Sequence, residues 1–296
     1  MFIRAGVVTF AALLAALATA GRAADDYEIR LQRPFKAGVS FTVSATDTLR
    51  SSETVDLPNG MSNQSSLFRR VTLDADVRID KVDDQGAPTG AAVVIRRLTV
   101  QTGNGSQAAL VAPKVVLEPG TAVTLTYNGG QPVFALKAAA ALSDEGVLAL
   151  QQAFERMGFS DAVYGTKERK KAGESWPLNT SALAGDKTNP QNVDPALISG
   201  TVTFKGVRTL AGIACVQIDS TMTAKDYPVQ GAAAKEATMT EVFSAVLPTD
   251  GARPVVAWSK RSTTHLVTEE KPLGQGTMRR TVDSEVLHEA AWLPKS

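Results

Sequence analysis

The chain has 296 residues, 44% of them hydrophobic but only 6% aromatic, with a formal net charge of +1. That length buries a sizeable core in one large domain or two, and near-neutral charge excludes both a disordered polyelectrolyte and an electrostatic nucleic-acid binder. A single cysteine excludes a disulfide framework, and two histidines leave little material for imidazole chemistry.

Export comes first in chain order. Arg4, the apolar stretch Ala5 to Ala18, and the small-residue patterns Ala18-Thr19-Ala20 and Gly21-Arg22-Ala23 have the layout of a secretory signal peptide over residues 1–23. The apolar part is about 14 residues, short of the roughly 20 a helix needs to span a bilayer. A mature chain beginning at Gly21 or Ala24 is expected, periplasmic or secreted, with no stable membrane insertion.

Period-two alternation then dominates, the mark of half-buried strands. Val39, Phe41, Val43 and Ala45 share one face. Val71, Leu73, Ala75, Val77 and Ile79 share the next, followed by a turn at Asp83-Asp84-Gln85-Gly86 and a strand near Ala91 to Val100. Val123, Leu125 and Tyr127 lead through Asn128-Gly129-Gly130 into Pro132 to Leu136, a hairpin signal because Asn and Gly tolerate positive φ. From Ser143 to Gly158 the period changes. Ser143 suits an N-cap, Asp144 and Glu145 suit the first turn, and Val147, Leu150, Phe154 and Met157 give an apolar stripe, so one principal helix is predicted over Asp144–Met157.

The second half returns to strands. Ile198, Val202 and Phe204 alternate with Ser199, Thr201 and Thr203, and Lys205-Gly206 and Ala211-Gly212 flank a short connection. Ala214, Val216 and Ile218 follow, then Met239, Glu241, Phe243, Ala245 and Leu247 with Glu241 as a polar intruder. The turn at Pro248-Thr249-Asp250-Gly251 precedes a strand at Pro254 to Trp258. Lys36-Ala37-Gly38-Val39-Ser40-Phe41 recurs as Lys171-Ala172-Gly173-Glu174-Ser175-Trp176. The fold expected is mainly β, with antiparallel sheets in two similar halves. They form an open barrel or a sandwich with the helix between them: residues 24–158 the N-terminal β unit plus helix, 159–296 the C-terminal β unit.

The runs "FKAGVSF", "KAGESWPL" and "SGTVTFKGVRTLAGIACVQID" resemble a bacterial exported family of unknown function, a likeness that spans most of the mature chain and implies no catalytic residues. More loosely, amphipathic strands with one helix are similar to the open-barrel lipoprotein carriers of the periplasm.

Chemistry is sparse. His265 and His288 lie in strand-like text, no Gly-x-Ser-x-Gly elbow or phosphate-binding loop occurs, and Cys215 sits in an apolar run. Asp74, Asp76 and Asp80 share one face of an extended strand, too spread to chelate one ion, with Asp83 and Asp84 in the turn after it. No catalytic residue, metal or cofactor is expected. The paired arginines Arg69-Arg70, Arg96-Arg97 and Arg279-Arg280 mark either bulges and strand ends or partners for an acidic head group. Three function classes follow. The first is a non-catalytic carrier whose apolar sheet face holds an amphiphilic small molecule, with Phe41, Val77, Leu125, Val216, Phe243 and Arg97 as its ligand-binding residues. The second is an envelope scaffold that meets another envelope protein. An uncharacterised hydrolase is third.

Overall fold

The computed structural model describes residues 26–105, 111–128, 131–137, 141–154, 160–183, 193–227, 234–254, 256–270 and 276–295. The predicted signal peptide, Met157, and Gly129 and Gly130 lie outside them.

The chain is mainly antiparallel β, and its strands form one sheet. In chain order these are β1 (Ser40–Asp56), β2 (Ser62–Val82), β3 (Pro88–Asn104), β4 (Lys114–Leu117), β5 (Ala122–Asn128), β6 (Gln131–Leu136), β7 (Ser175–Pro177), β8 (Ile198–Leu210), β9 (Ile213–Lys225), β10 (Ala234–Pro248), β11 (Ala257–Glu270) and β12 (Met278–Pro294). Across the sheet they run β6-β5-β3-β2-β1-β12-β11-β10-β9-β8-β7, with β4 added to β3. Most neighbours are consecutive in the chain. Asp83 closes the β2–β3 turn, its Oδ1 accepting the Gln85 and Ala87 N–H groups at 2.9 and 2.8 Å. Ala211 and Gly212, both with positive φ, make the two-residue β8–β9 turn.

One ladder is not local. β12 pairs with β1 along its whole length, from Phe41 opposite Pro294 to Asp56 opposite Arg279. Charges on β1 meet complementary groups on β12 across this seam: Asp47 faces His288 at 3.5 Å, Arg50 faces Glu285 at 3.3 Å, and Glu53 reaches Arg280 at 2.8 Å. A one-residue slip would send each group to the wrong face, so the pattern reinforces the register set by the apolar residues.

The alternation expected from sequence holds where the core lies. Val71, Leu73, Ala75, Val77 and Ile79 are all at most 1% exposed, as are Phe41 and Val43. What closes this face is the N-terminal segment and two helices. Ile29 and Leu31 are buried in the core, and the Leu31 N–H donates to Asp161 Oδ1 at 2.5 Å. The Phe35 ring meets Phe41 and Trp292 edge-on at 5.8 Å. Helix α1 (Asp144–Ala153) is capped as predicted, the Gly146 N–H donating to Ser143 Oγ at 3.1 Å. Its buried side is Gly146, Ala149, Leu150 and Ala153, however, and Val147 is only half-buried. Small residues let the helix approach the sheet closely, and the hydrophobic stripe alone hid that. A second, shorter helix α2 (Asp161–Tyr164) was not foreseen.

Two further readings change. Lys205-Gly206 is a bulge inside β8, with the register shifting between Phe204 and Gly206. After the bulge Val207 is 48% exposed, while in β9 Ala214 is exposed and Cys215 takes the buried place beside Val216. The repeated Lys-Ala-Gly motif folds into the same turn twice. Gly38 and Gly173 have φ of 87° and 90°, and their N–H groups donate to Ile79 O and Phe204 O, both at 2.7 Å. After the turn β1 continues for 17 residues and β7 for three.

Candidate functional site

Of the residues singled out for ligand binding, Phe41, Val77, Leu125 and Val216 are each 1% exposed and Phe243 is 2% exposed. They belong to one packed core. Phe41 and Val77 are direct neighbours on β1 and β2, while Val216 and Phe243 lie on β9 and β10 toward the other end of the sheet. Arg97 is on the opposite face. A bulge in β3 places Arg97 opposite Asp74 and Ile95 opposite Ala75, leaving Arg96 as the extra residue. Both arginines therefore point outward, Arg97 to Asp74 at 2.6 Å and Arg96 to Asp76 at 2.7 Å. The acidic cluster on β2 is thus paired with basic side chains, and among the described residues no three His, Cys, Asp or Glu side chains converge to hold a metal.

The core face carries a polar belt that the sequence announced only through Glu241. One row across the sheet reads Val71, Asp47, His288, Lys260, Phe243 and Ser220. Asp47, His288 and Glu241 are buried. Lys260 Nζ lies 2.9 Å from Glu241 Oε2, and Glu241 also accepts hydrogen bonds from the Tyr164 hydroxyl at 3.1 Å and the Ser262 hydroxyl at 3.3 Å. A buried carboxylate persists only when its oxygens are matched in this way. The His288 ring stacks on Trp258 at 6.0 Å, and neither of its nitrogens has a hydrogen bond among the described residues.

Beyond the belt the long strands leave the core. β2 spans 21 residues, roughly 70 Å when extended, but its buried alternation covers only Val71 to Ile79. At the far end a cleft of about 560 Å³ opens on the face opposite the core. Its walls are two successive rows of that face. Phe68, Arg50, Glu285, Thr263 and Thr240 stand side by side on β2, β1, β12, β11 and β10, and Ser66, Ser52, Asp283, His265 and Thr238 form the next row. Ser66 and Thr238 are four strand spacings apart, about 19 Å on a flat sheet. Residues that far apart line one cleft, so the sheet is curved here and not flat.

The charges in the cleft are matched internally. Arg50 and Glu285 are paired at the seam, and His265 Nδ1 lies 2.7 Å from Asp283 Oδ1. The Arg50 and Arg70 guanidinium groups lie 5.9 and 5.4 Å from the Phe68 ring centre, and Arg70 donates to Thr48 Oγ1 at 3.3 Å. By contrast the hydroxyls of Ser52, Ser66, Thr238 and Thr240 make no side-chain hydrogen bond among the described residues. The sequence signal for this region is the loss of alternation. In "LRSSETVD", "SNQSSLFRR" and "KRSTTHLVTEE" the apolar member of each pair gives way to Ser or Thr.

Fold and cleft together describe a rigid β scaffold with an open polar groove and a filled apolar face. No family model matches the chain, including any for the exported family suggested by "FKAGVSF" and "KAGESWPL", and no curated protein matches it. Among solved structures, one with similarity is an exported protein with a YmcC-like fold from Bacteroides fragilis. It is 12% identical with a TM-score of 0.23, over 92% of this chain and 100% of that one. An outer membrane channel from Pseudomonas putida is 10% identical with a TM-score of 0.20, over 88% and 98%. Likeness at that level bears on neither fold nor function. No helix among the described residues is long and apolar enough to cross a membrane.

Proposed function

We propose that the protein is a non-catalytic binding protein of the cell envelope whose ligand seats in the cleft at the β1–β2–β12–β11–β10 strand ends. The observation that carries this reading is the cleft itself, in the volume range of small-molecule sites. Envelope placement rests on the signal-peptide layout of residues 1–23. The occupant is polar. The apolar face first considered for an amphiphile is packed under Ile29, Leu31 and Phe35, and a filled core has no room for a second molecule. The polar belt takes no catalytic role in this reading, because Glu241 and His288 are each 4% exposed and a substrate has no contact with them.

The test is native mass spectrometry of protein purified from its own host. An extra mass is expected in the wild type and absent from Ser52→Trp and Thr240→Trp, two independent ways to block the groove, with circular dichroism showing both folded. An adduct retained by both folded variants, or a wild type that arrives bare, would overturn the reading.

A further inference from the structure

Resting on that reading, we infer that the ligand is a neutral, polyhydroxylated chain, a glycan, laid across the strands along the two rows of the cleft. Three features of the lining converge on this class. Five of the ten side chains in the two rows are Ser or Thr, namely Ser52, Ser66, Thr238, Thr240 and Thr263, and a hydroxyl both donates and accepts, which is what a partner made of hydroxyls requires. The charged side chains have partners within the cleft, Arg50 with Glu285 and Asp283 with the His265 imidazole. The Arg50–Glu285 pair offers a donor fork and acceptor oxygens side by side, with no net charge of its own. Finally, the hydroxyls stand on both sides of the groove, Ser52 and Ser66 on β1 and β2 and Thr238, Thr240 and Thr263 on β10 and β11, so a chain laid across the strands meets polar contacts at each end of its path. An apolar chain would strand the unengaged hydroxyls of Ser52, Ser66 and Thr240 away from water, and a phosphate-rich or acidic chain would meet Asp283 and Glu285.

The experiment uses titration calorimetry of the full mature chain. The probes are neutral hexasaccharides built from glucose, galactose, mannose or N-acetylglucosamine, with oligogalacturonate as an acidic comparator. At least one neutral probe is expected to bind saturably, with affinity unchanged between low and 0.5 M salt, since no long-range charge attraction is involved. Ser52→Ala combined with Thr240→Val, which removes one hydroxyl from each wall and keeps strand-compatible side chains, should weaken that probe about tenfold or more. Binding of oligogalacturonate alone, collapsing with salt, would overturn the inference, as would silence from every saccharide. The two levels separate cleanly. A native adduct lost in Ser52→Trp and Thr240→Trp but containing no sugar sinks the glycan and keeps the binding cleft, whereas a bare wild type sinks both.

Discussion

The two ends of the long strands put the same backbone to different uses. At one end of β1, Phe41, Val43 and Ala45 are buried against β2, β12 and the N-terminal segment. Ten residues further along the same face, Ser51, Glu53 and Val55 are only half-buried. Hydrogen bonding is continuous along the seam, so the ladder does not create the difference. Side chains do. Strands of 17 and 21 residues are well beyond the usual 3–10, and a hydrophobic core does not require the surplus. It places a polar surface at a distance from the packed region that holds it in shape.

Mutations should separate the two ends sharply, and the largest effect belongs to the core. Phe204→Ala removes a side chain with 0% exposure and is expected to cost about 3–5 kcal/mol of unfolding free energy. Thr238→Ala in the cleft should stay within about 0.5 kcal/mol. Urea midpoints measure both, and equal shifts would erase the distinction. The belt lies between the extremes. Lys260→Met leaves Glu241 buried beside an apolar neighbour. Because the Lys260 side chain is 33% exposed, a loss of about 2 kcal/mol is expected, below the 3–5 typical of fully buried pairs. Adding Glu241→Leu should recover part of it in a double-mutant cycle, and strict additivity would show that the pair is not coupled.

The two Lys-Ala-Gly turns offer a finer comparison. Nothing lies within 4 Å of a Cβ added at Gly38 or Gly173, so Gly→Ala at either place meets only the positive φ. Each substitution should cost about 1–2 kcal/mol, and the two should agree within about 0.5 kcal/mol despite the unequal strands that follow; a clear inequality would mean the turns are alike in shape alone. The smallest effect is a null. Burial pushes the Cys215 thiol above its ordinary range, with Arg208 pulling weakly the other way, so native protein at pH 8 should leave a thiol reagent unreacted until denaturant is added. Rapid native labelling would mean the Cys215, Val246 and Val256 cluster opens.

The β class, the core face of β2 and the cap of α1 were all legible, because alternation and capping are local signals. Ser143, the run Val71 to Ile79, and the Asp83 turn needed no knowledge of the rest of the chain. The β1–β12 seam joins residues about 240 positions apart, and no local pattern announces such a pairing. That is also why the belt escaped notice: Asp47, His288, Lys260 and Tyr164 read as ordinary scattered polar residues until four elements bring them together. The Arg96-Arg97 pair was readable only as a choice between bulge and ligand, and register decided it. The residues singled out for a ligand prove to be core residues for a simpler reason. A face that alternates cleanly is one that packs, so the best-patterned residues were those least free to meet anything else.

The position of β12 also governs how the molecule can assemble. The last strand in chain order sits at the middle of the sheet, between β1 and β11. During synthesis the first strands can zip by hairpins alone, but β1 must keep one open edge until the final 17 residues arrive, and β11 does likewise. Closure is then a single long-range event with a large loop entropy, of the kind that makes β proteins slow to fold and exposes bare strand edges to neighbours in the meantime. A chain shortened by its last strand would lose its central joint and be left with two sticky half-sheets.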